Sequence, residues 1–472
     1  MSDTPAPPVI LGDEPGSFPH SVLAERHPAI IEQVREAFPY GPDIHRSLDA
    51  LLDNCTKGVI EPLPADAPDR DRWRAWGLDA YAGRSWFDVP WLWSESYFYR
   101  QLLEAVGYFG AGPWRGIDPF RPFKLAELDA PETDEEVAVL DTLEGRPVAE
   151  QARALLHGSL WGNRADLGFR LSDGEAEKRA AVPGLVADES ETLWSLLPTP
   201  TPTPSPSPDT YADAAAGTET RSETGIRGET STGTGTSTST GTSTETGTGT
   251  STSTGTGTST ETGTGTSTST GTSTETGTGD RTGTLCLVAD NAGRELIPDL
   301  LLAAHLLARG QCGRVVLHVK PYPYYVSDAT TADVVDALRK LTSAGGAAAD
   351  HGRRLWAAMA DGTLTVRAHP FSAAPLPWAA MPEDLRAEFA AASLTIVKGD
   401  LNYRRLVGDS RWNPTTPFAE VTAGFPGPVA ALRTLKSDVI TGLDAGTVAA
   451  LVAAEGQRWR TGGTHALIQV RG

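Results

Sequence analysis

Asp290 and Asn291 stand together where a short apolar run, residues 285–289, stops. An acid beside an amide offers two hard oxygen donors, and a helix-like pattern begins just after them. Other apolar runs stop in a similar way. Residues 314–319 precede a loop carrying Asp328, residues 394–397 run into Lys398, Gly399, Asp400, Leu401, Asn402, Tyr403 and Arg404, and residues 429–432 run into Arg433 and Lys436. Two carboxylates and an amide suit a hard divalent cation, and the lysines and arginines suit an anion. Donors that are all oxygen favour Mg2+ or Mn2+ over zinc or copper. Such an ion beside Lys and Arg is what phosphoryl transfer requires, because both stabilise phosphoryl charge. Asp-Asn after a single strand is ordinary turn chemistry. The weight of the argument lies in several strand ends carrying such residues.

Those ends meet only if the strands are parallel. Residues 285–289, 314–319, 363–368, 394–397, 429–432 and 465–470 read as strands, with helices expected at 296–307, 331–341 and 382–391. Strands alternating with helices predict an α/β fold with a doubly wound, mainly parallel sheet, spanning 284–472. Parallel strands put all their carboxyl ends on one edge, where open α/β folds bind ligands. In the first of these helices Leu300, Leu301, Ala304 and Leu307 form one apolar face.

Residues 1–197 read as mainly helical, with a proline-led helix at 27–38, further helix over 134–156, and a short helix at 186–197. Residues 86–100 are dense in aromatics and include Glu95 and Arg100. They read either as a core stripe with both charges on its wet side or as one wall of a polar-ligand pocket. Residues 198–283 change character to Thr-Pro and Ser-Pro repeats and then a Thr/Gly/Ser tract. With almost nothing apolar to bury, that insertion is expected to be disordered.

A net charge of −20 argues against nucleic acid or an anionic membrane as partner. Cys55, Cys286 and Cys312 lie far apart, without a disulfide framework or zinc spacing, as in a reducing compartment. His305, His318, His351 and His369 are scattered and read as structural. No basic segment precedes an apolar core at the N-terminus, and no apolar run is long enough to span a bilayer, so a cytoplasmic location is expected. The sequence has no Walker-type loop, no Gly-x-Gly-x-x-Gly after the first strand and no His-Glu-x-x-His.

In this setting the chain resembles the damage-control phosphatase family, in the subgroup first described as acidic-residue carboxyl methyltransferases. The segments that carry the likeness begin at Trp91 (Trp-Leu-Trp-Ser-Glu-Ser-Tyr-Phe-Tyr-Arg), Leu160 (Leu-Trp-Gly-Asn-Arg-Ala-Asp-Leu), Asp290 (Asp-Asn-Ala-Gly-Arg-Glu-Leu), Tyr325 (Tyr-Val-Ser-Asp-Ala-Thr), Lys398 (Lys-Gly-Asp-Leu-Asn-Tyr-Arg) and Arg433 (Arg-Thr-Leu-Lys). Their order matches, and they span the chain apart from the Thr/Gly/Ser tract, which departs from the family. The resemblance implies a helical part packed on an α/β metal-binding part. It places Asp290, Asn291 and Asp328 on Mn2+ or Mg2+, with Co2+ or Ni2+ as substitutes, and Glu295 near the metal. It also places Asp400 to Arg404 and Lys436 on the substrate, and the pocket-wall reading of residues 86–100 adds Glu95 and Arg100 as substrate-binding candidates.

The reading that results is a metal-dependent phosphatase of small phosphorylated metabolites, with sugar phosphates such as fructose 1-phosphate or fructose 6-phosphate favoured by the family likeness. Lys398, Arg404 and Lys436 would neutralise the phosphate, and Asn402 and Tyr403 would orient the sugar. Asp290 as nucleophile and an activated water both remain open. A rival reading is an S-adenosylmethionine-dependent methyltransferase of protein glutamates, although the first strand–helix turn has one glycine and no ribose-binding pattern. A third is a non-catalytic metabolite-binding or scaffold protein.

Composition alone makes the insertion dispensable. Replacing residues 218–279 with a Gly/Ser spacer of about ten residues should leave the thermal melt and phosphatase turnover within a small factor of the parent. Loop closure depends only logarithmically on length, so stability should rise by about 1 kcal/mol. Turnover that collapses while the melt stays intact would assign the tract a functional role.

Overall fold

The computed structural model describes residues 7–162, 184–200 and 283–472. Nearly all of the expected 198–283 insertion lies outside these residues, as do positions 163–167 of the motif that begins at Leu160. Among the described residues seven strands form one sheet: β1 (Leu185–Asp188), β2 (Thr284–Val288), β3 (Arg314–His318), β4 (Leu364–Arg367), β5 (Leu394–Lys398), β6 (Val429–Thr434) and β7 (Ala466–Arg471). Their order across the sheet is β1-β7-β6-β5-β2-β3-β4. Strands β4, β3, β2, β5 and β6 are mutually parallel, while β7 pairs antiparallel with β6 and parallel with β1.

The sequence explains why this sheet is buried on both faces. Its central strands are nearly continuous runs of Val, Ile, Leu and Ala, as parallel strands covered on both sides must be. Leu285, Leu287, Leu394, Ile396, Ala430 and Leu432 face one layer with the Leu296–Ala308 helix and the Val148–Trp161 helix. Cys286, Val288, Val316, Val397, Val429 and Ala431 face the other, which holds Trp378, Phe389 and the aromatic Trp91–Ala105 helix. The described residues together make one compact unit.

All six expected strands are present, with ends shifted by one or two residues. Strand β1 was not expected, because a half-exposed edge strand of four residues carries little pattern. The helix expected over 186–197 is confined to Ser190–Ser195. The Leu296–Ala308 helix is also not amphipathic: every residue from Leu296 to Leu306 is buried, Asp299 included. Its apolar stripe was one side of a helix that packs all round.

Strand order sets the location of the crevice. The chain steps from β2 to β3 to β4 in one direction and then returns to β5 on the other flank of β2. The topological switch point lies between β2 and β5, where Asp290 and the residues after Lys398 emerge.

In the helical layer, His27 stacks flat on Phe98, with centroids 3.7 Å apart and planes at 4°. Neither ring nitrogen has a hydrogen-bond partner among the described residues. Burial, assisted by Arg26, lowers the His27 pKa to about 3. The unfolded chain takes up this proton near pH 6.5 and the folded one resists it, so stability falls as pH drops through that interval. The slope from this group is about 1.4 kcal/mol per pH unit. Denaturant unfolding at pH 7 and pH 4.5 should therefore show the parent losing about 2–3 kcal/mol more than His27→Phe. Equal losses in the two proteins would show that His27 does not fold as a neutral ring.

Candidate active site

Two loops meet above the end of β2. The backbone N–H of Ala329 donates to Asp290 O (2.8 Å) and that of Ala292 to Ser327 O (2.7 Å), while Asn291 and Asp328 form a β-bridge. Asn291 Nδ2 donates to Glu295 Oε2 at 2.8 Å and to Asp290 Oδ2 at 3.3 Å. Its Oδ1 accepts from Ser327 Oγ at 2.6 Å and keeps a second lone pair. The turn that delivers Asp328 is strained, because Tyr325 (φ 47°) and Val326 (φ 62°) both sit in the left-handed region. A β-branched residue there costs on the order of 1–3 kcal/mol and persists only where its surroundings fix it. The end of β5 comes equally close. Gly399 has φ +80°, and a Cβ at that position would lie 1.9 Å from Asp290 Oδ2. Only glycine lets the Gly399–Val407 helix start against this acid.

Asp290, Glu295 and Asp328 are all buried. Burial raises the Asp290 pKa well above the usual range, and Glu295 and Asp328 push it further, while Lys436 and Lys320 oppose. Burial likewise pushes Asp328 up to about 6 against the pull of Lys320. Lys320 Nζ lies 3.2 Å from Asp328 Oδ2 and donates to Asn402 Oδ1 at 3.4 Å. Three acids thus face Lys320 and Lys436, leaving a negative excess, and Lys320 at 3.2 Å is the ion-pair partner of Asp328 Oδ2. This donor set fits a hard divalent cation: oxygen ligands, unbalanced negative charge and the free lone pair of Asn291 Oδ1.

The expected substrate-binding residues divide sharply. Lys398 is wholly buried. Its Nζ donates to Asp299 Oδ1 (2.6 Å) and to Ser159 O, and lies 3.8 Å from Glu295. Asp400 is paired with Arg433 (2.6 Å) and accepts from Ser437 Oγ and the Lys436 backbone N–H. Burial alone would raise its pKa, but Arg433 and Arg404 hold it below the usual range. Asn402 Nδ2 donates to Ala289 O and Lys398 O, both at 3.0 Å. Leu401 lies in the core, and the Tyr403 hydroxyl donates to Gln469 (2.9 Å) and lies 3.0 Å from Thr441 Oγ1. Arg404 is bound by Asp409 (2.7 Å) and Glu95 (3.1 Å) and stacks over Trp91 at 3.6 Å. Lys436 is different. It is half-buried, it acts on the Asp290 charge, and among the described residues it has no ion-pair partner.

Neither Glu95 nor Arg100 is on a wet side, since they are 4% and 0% exposed. The helix that carries them is buried all round from Trp91 to Arg100, so charges there must be matched internally. Glu95 accepts from Arg404 and from the Tyr325 hydroxyl (3.1 Å), and so backs the strained turn before Asp328. Arg100 is held by Asp69 (2.7 Å) and Glu104 (2.8 Å) beneath Phe109, and none of these contacts reaches the acid cluster. Three participants were missed. Lys320 follows β3 much as Lys398 closes β5, and the strand-end rule extends to it. Asp299, an acid in an otherwise apolar helix, was a signal in itself. Lys124, which donates to Asp328 O and Asp333 Oδ2 (both 2.9 Å), left no such trace.

The sequence matches the family model described as the damage-control phosphatase ARMT1-like domain over residues 22–216 and 268–451. Among curated proteins it is similar to the damage-control phosphatase ARMT1 of Rattus norvegicus, 26% identical with both chains covered in full. It is also similar to that of Homo sapiens, 25% identical over 97% of each chain, and to that of Danio rerio, 26% identical over 82% of this chain and 74% of the relative. A crystal structure of a DUF89-family protein from Pyrococcus horikoshii covers 90% of this chain and 92% of its own at 12% identity, with a TM-score of 0.42.

The geometry separates two kinds of cation by stability. Arg100→Met leaves Asp69 buried and unmatched, and should cost about 3–5 kcal/mol in denaturant unfolding. Lys436→Met leaves no acid stranded in an ion pair and should stay within about 0.5 kcal/mol of the parent. A comparable loss at Lys436 would mean that it is a structural lysine.

Proposed function

The chain belongs to the damage-control phosphatase ARMT1-like domain family, and on that premise we propose that it hydrolyses small phosphorylated metabolites at the crevice between β2 and β5. Sugar phosphates such as fructose 1-phosphate and fructose 6-phosphate are the favoured substrates. The observation that carries this reading is the buried set Asp290, Glu295 and Asp328 facing Lys320 and Lys436 at the switch point of the sheet.

Asp290 and Asp328, with Asn291 through Oδ1, would hold Mn2+ or Mg2+, with Co2+ or Ni2+ able to substitute. When bound, such an ion polarises phosphoryl oxygens and offsets their charge. The rest is the work of the chain itself. Lys436 meets the phosphate as a mobile point charge, and Lys320 supplies a fixed charge from beneath. Glu295 holds Asn291 in place through its 2.8 Å hydrogen bond, and Gly399 keeps side-chain bulk away from Asp290. Asn402, Lys398 and Arg404 are positioning residues in this reading: their hydrogen bonds are spent on Ala289 O, Asp299, Asp409 and Glu95. Tyr403 is buried against Gln469 and Thr441 and acts likewise. Asp290 is positioned either to attack phosphorus or to orient the water that does. Among the described residues no helix is long and apolar enough to cross a membrane, and a cytoplasmic site of action is part of the proposal.

Phosphate release from fructose 1-phosphate and fructose 6-phosphate should cease in chelated protein and return with Mn2+ or Mg2+. Asp290→Ala should abolish turnover while keeping the parent's melt. Lys436→Ala should lose about 2–5 kcal/mol of transition-state stabilisation, read as kcat/KM. Full turnover in metal-free protein would overturn the metal assignment.

A further inference from the structure

Although the sequence carries no zinc-like spacing, the sheet assembles a second ligand set. In the parallel β2–β3 pair Cys286 stands opposite Val316 and Val288 opposite His318. Residues 286 and 288 therefore share a face with 316 and 318, and Cys286 and His318 are diagonal neighbours on it. The Glu383–Ala391 helix lies over this face and directs Glu388 onto the same spot. The ligand atoms of Cys286, His318 and Glu388 all lie within 4.8 Å of one another.

The arrangement is unsatisfied as it stands. His318 is 1% exposed, and neither ring nitrogen has a hydrogen-bond partner among the described residues. Its Nε2 lies 3.3 Å from Glu388 Oε1, a close approach without hydrogen-bond alignment. Burial pushes the Cys286 thiol up to about 12, so nothing in the protein alone makes it a thiolate.

We propose that Cys286, His318 and Glu388 form a second cation site, separate from the Asp290 crevice, that takes Zn2+. Thiolate, imidazole and carboxylate are the zinc donor set, whereas the oxygen donors at Asp290 favour harder ions. With bonds of about 2.0–2.3 Å, donors around tetrahedral zinc stand roughly 3.5 Å apart. The His318–Glu388 separation already meets that spacing, and the remaining donors need to close by about 1 Å. The thiol proton leaves to solvent as sulfur binds, and the imidazole binds neutral. Arg367 grips the other oxygen of Glu388 (Nη1 to Oε2, 2.9 Å) and also pairs with Asp384. It acts as an outer partner that orients the ligating carboxylate. Zn2+, the Cys286 thiolate, Glu388, Arg367 and Asp384 together carry no net charge. Asp290 lies four residue steps beyond Cys286 along extended chain, about 13 Å, too far for one ion to serve both. An ion here would tie β2 and β3 to the helix that covers them.

Metal-free full-length protein titrated with Co2+ tests the proposal, because a cobalt–thiolate bond gives a near-ultraviolet charge-transfer band that oxygen donors do not. The band should form in the parent and persist in Asp290→Ala, which removes only the crevice site. Cys286→Ser should abolish it. Glu388→Gln, a substitution at the partly exposed rim, should weaken Co2+ at least about tenfold while keeping the parent's metal-free melt and its Mn2+-supported phosphate release. No band in the parent, a band that survives Cys286→Ser, or unchanged affinity in Glu388→Gln would each overturn the assignment.

Discussion

Lys398 and Asp299 meet inside the protein, Nζ 2.6 Å from Oδ1, and each is entirely shielded from water. Ion pairs so placed depend on close geometry, because desolvation costs several kcal/mol per ion. Ser159 ties the pair to a third element, donating its hydroxyl to the same Asp299 oxygen and accepting from Lys398 through its carbonyl. Three elements are thereby locked together: the end of β5, the helix that follows β2, and the Val148–Trp161 helix. The pair fixes the depth of the Leu296–Ala308 helix against the sheet. That depth places Glu295 one turn above, Glu295 holds Asn291, and Asn291 binds Asp290. The acid cluster at the crevice is the upper end of a chain of contacts that starts with this pair.

A second set of contacts reaches the same crevice from the helical part. Arg404 stacks on Trp91, pairs with Glu95 and Asp409, and so joins the Gly399–Val407 helix to the aromatic helix. Glu95 also receives the Tyr325 hydroxyl, and Tyr325 stacks on Tyr99 at 4.7 Å. This packing over-determines the left-handed turn at Tyr325 and Val326. Lys124 grips the carbonyl of Asp328 from another helix of the same part. The helical part is thus the mould that keeps a strained, acid-bearing loop facing β2. A sheet standing alone would have no means to hold it.

How much of this was legible follows from which physics acts locally. Strand ends were readable because a buried parallel strand is an uninterrupted apolar run and its polar successors mark the edge. Asp290, Asn291 and Asp328 could therefore be grouped without coordinates. Helix faces were less readable. The Leu296–Ala308 pattern looked one-sided although every flank is packed, and Asp299 went unremarked within it. For the charges in the aromatic helix the sequence offered a wet side or a pocket wall but not an internal match, because pairing of Glu95 with Arg404 and of Arg100 with Asp69 is decided between segments distant in sequence. For the same reason the internal partners of Lys398 and Arg404, expected on the phosphate, and of Asn402, expected on the sugar, could not be read from the sequence. Cys286 and His318 looked unrelated because only strand register makes them neighbours.

The described ends of the chain on either side of the Thr/Gly/Ser tract show why an insertion is tolerated there. Pro198 O accepts from Gln311 Nε2 at 3.4 Å, and Gly283 O accepts from the backbone N–H of Gly313 at 3.0 Å. Gln311 and Gly313 belong to one short turn just before β3, so the chain leaves the folded unit and re-enters it at a single place. Chain inserted between neighbouring anchor points leaves the fold's contacts unchanged, and its closure cost grows only with the logarithm of its length. That place is also the amino end of β2 and β3, whereas Asp290 and Asp328 follow their carboxyl ends. Both anchor points therefore lie at the edge of the sheet opposite the crevice, so chain added between them need not move a residue of the site.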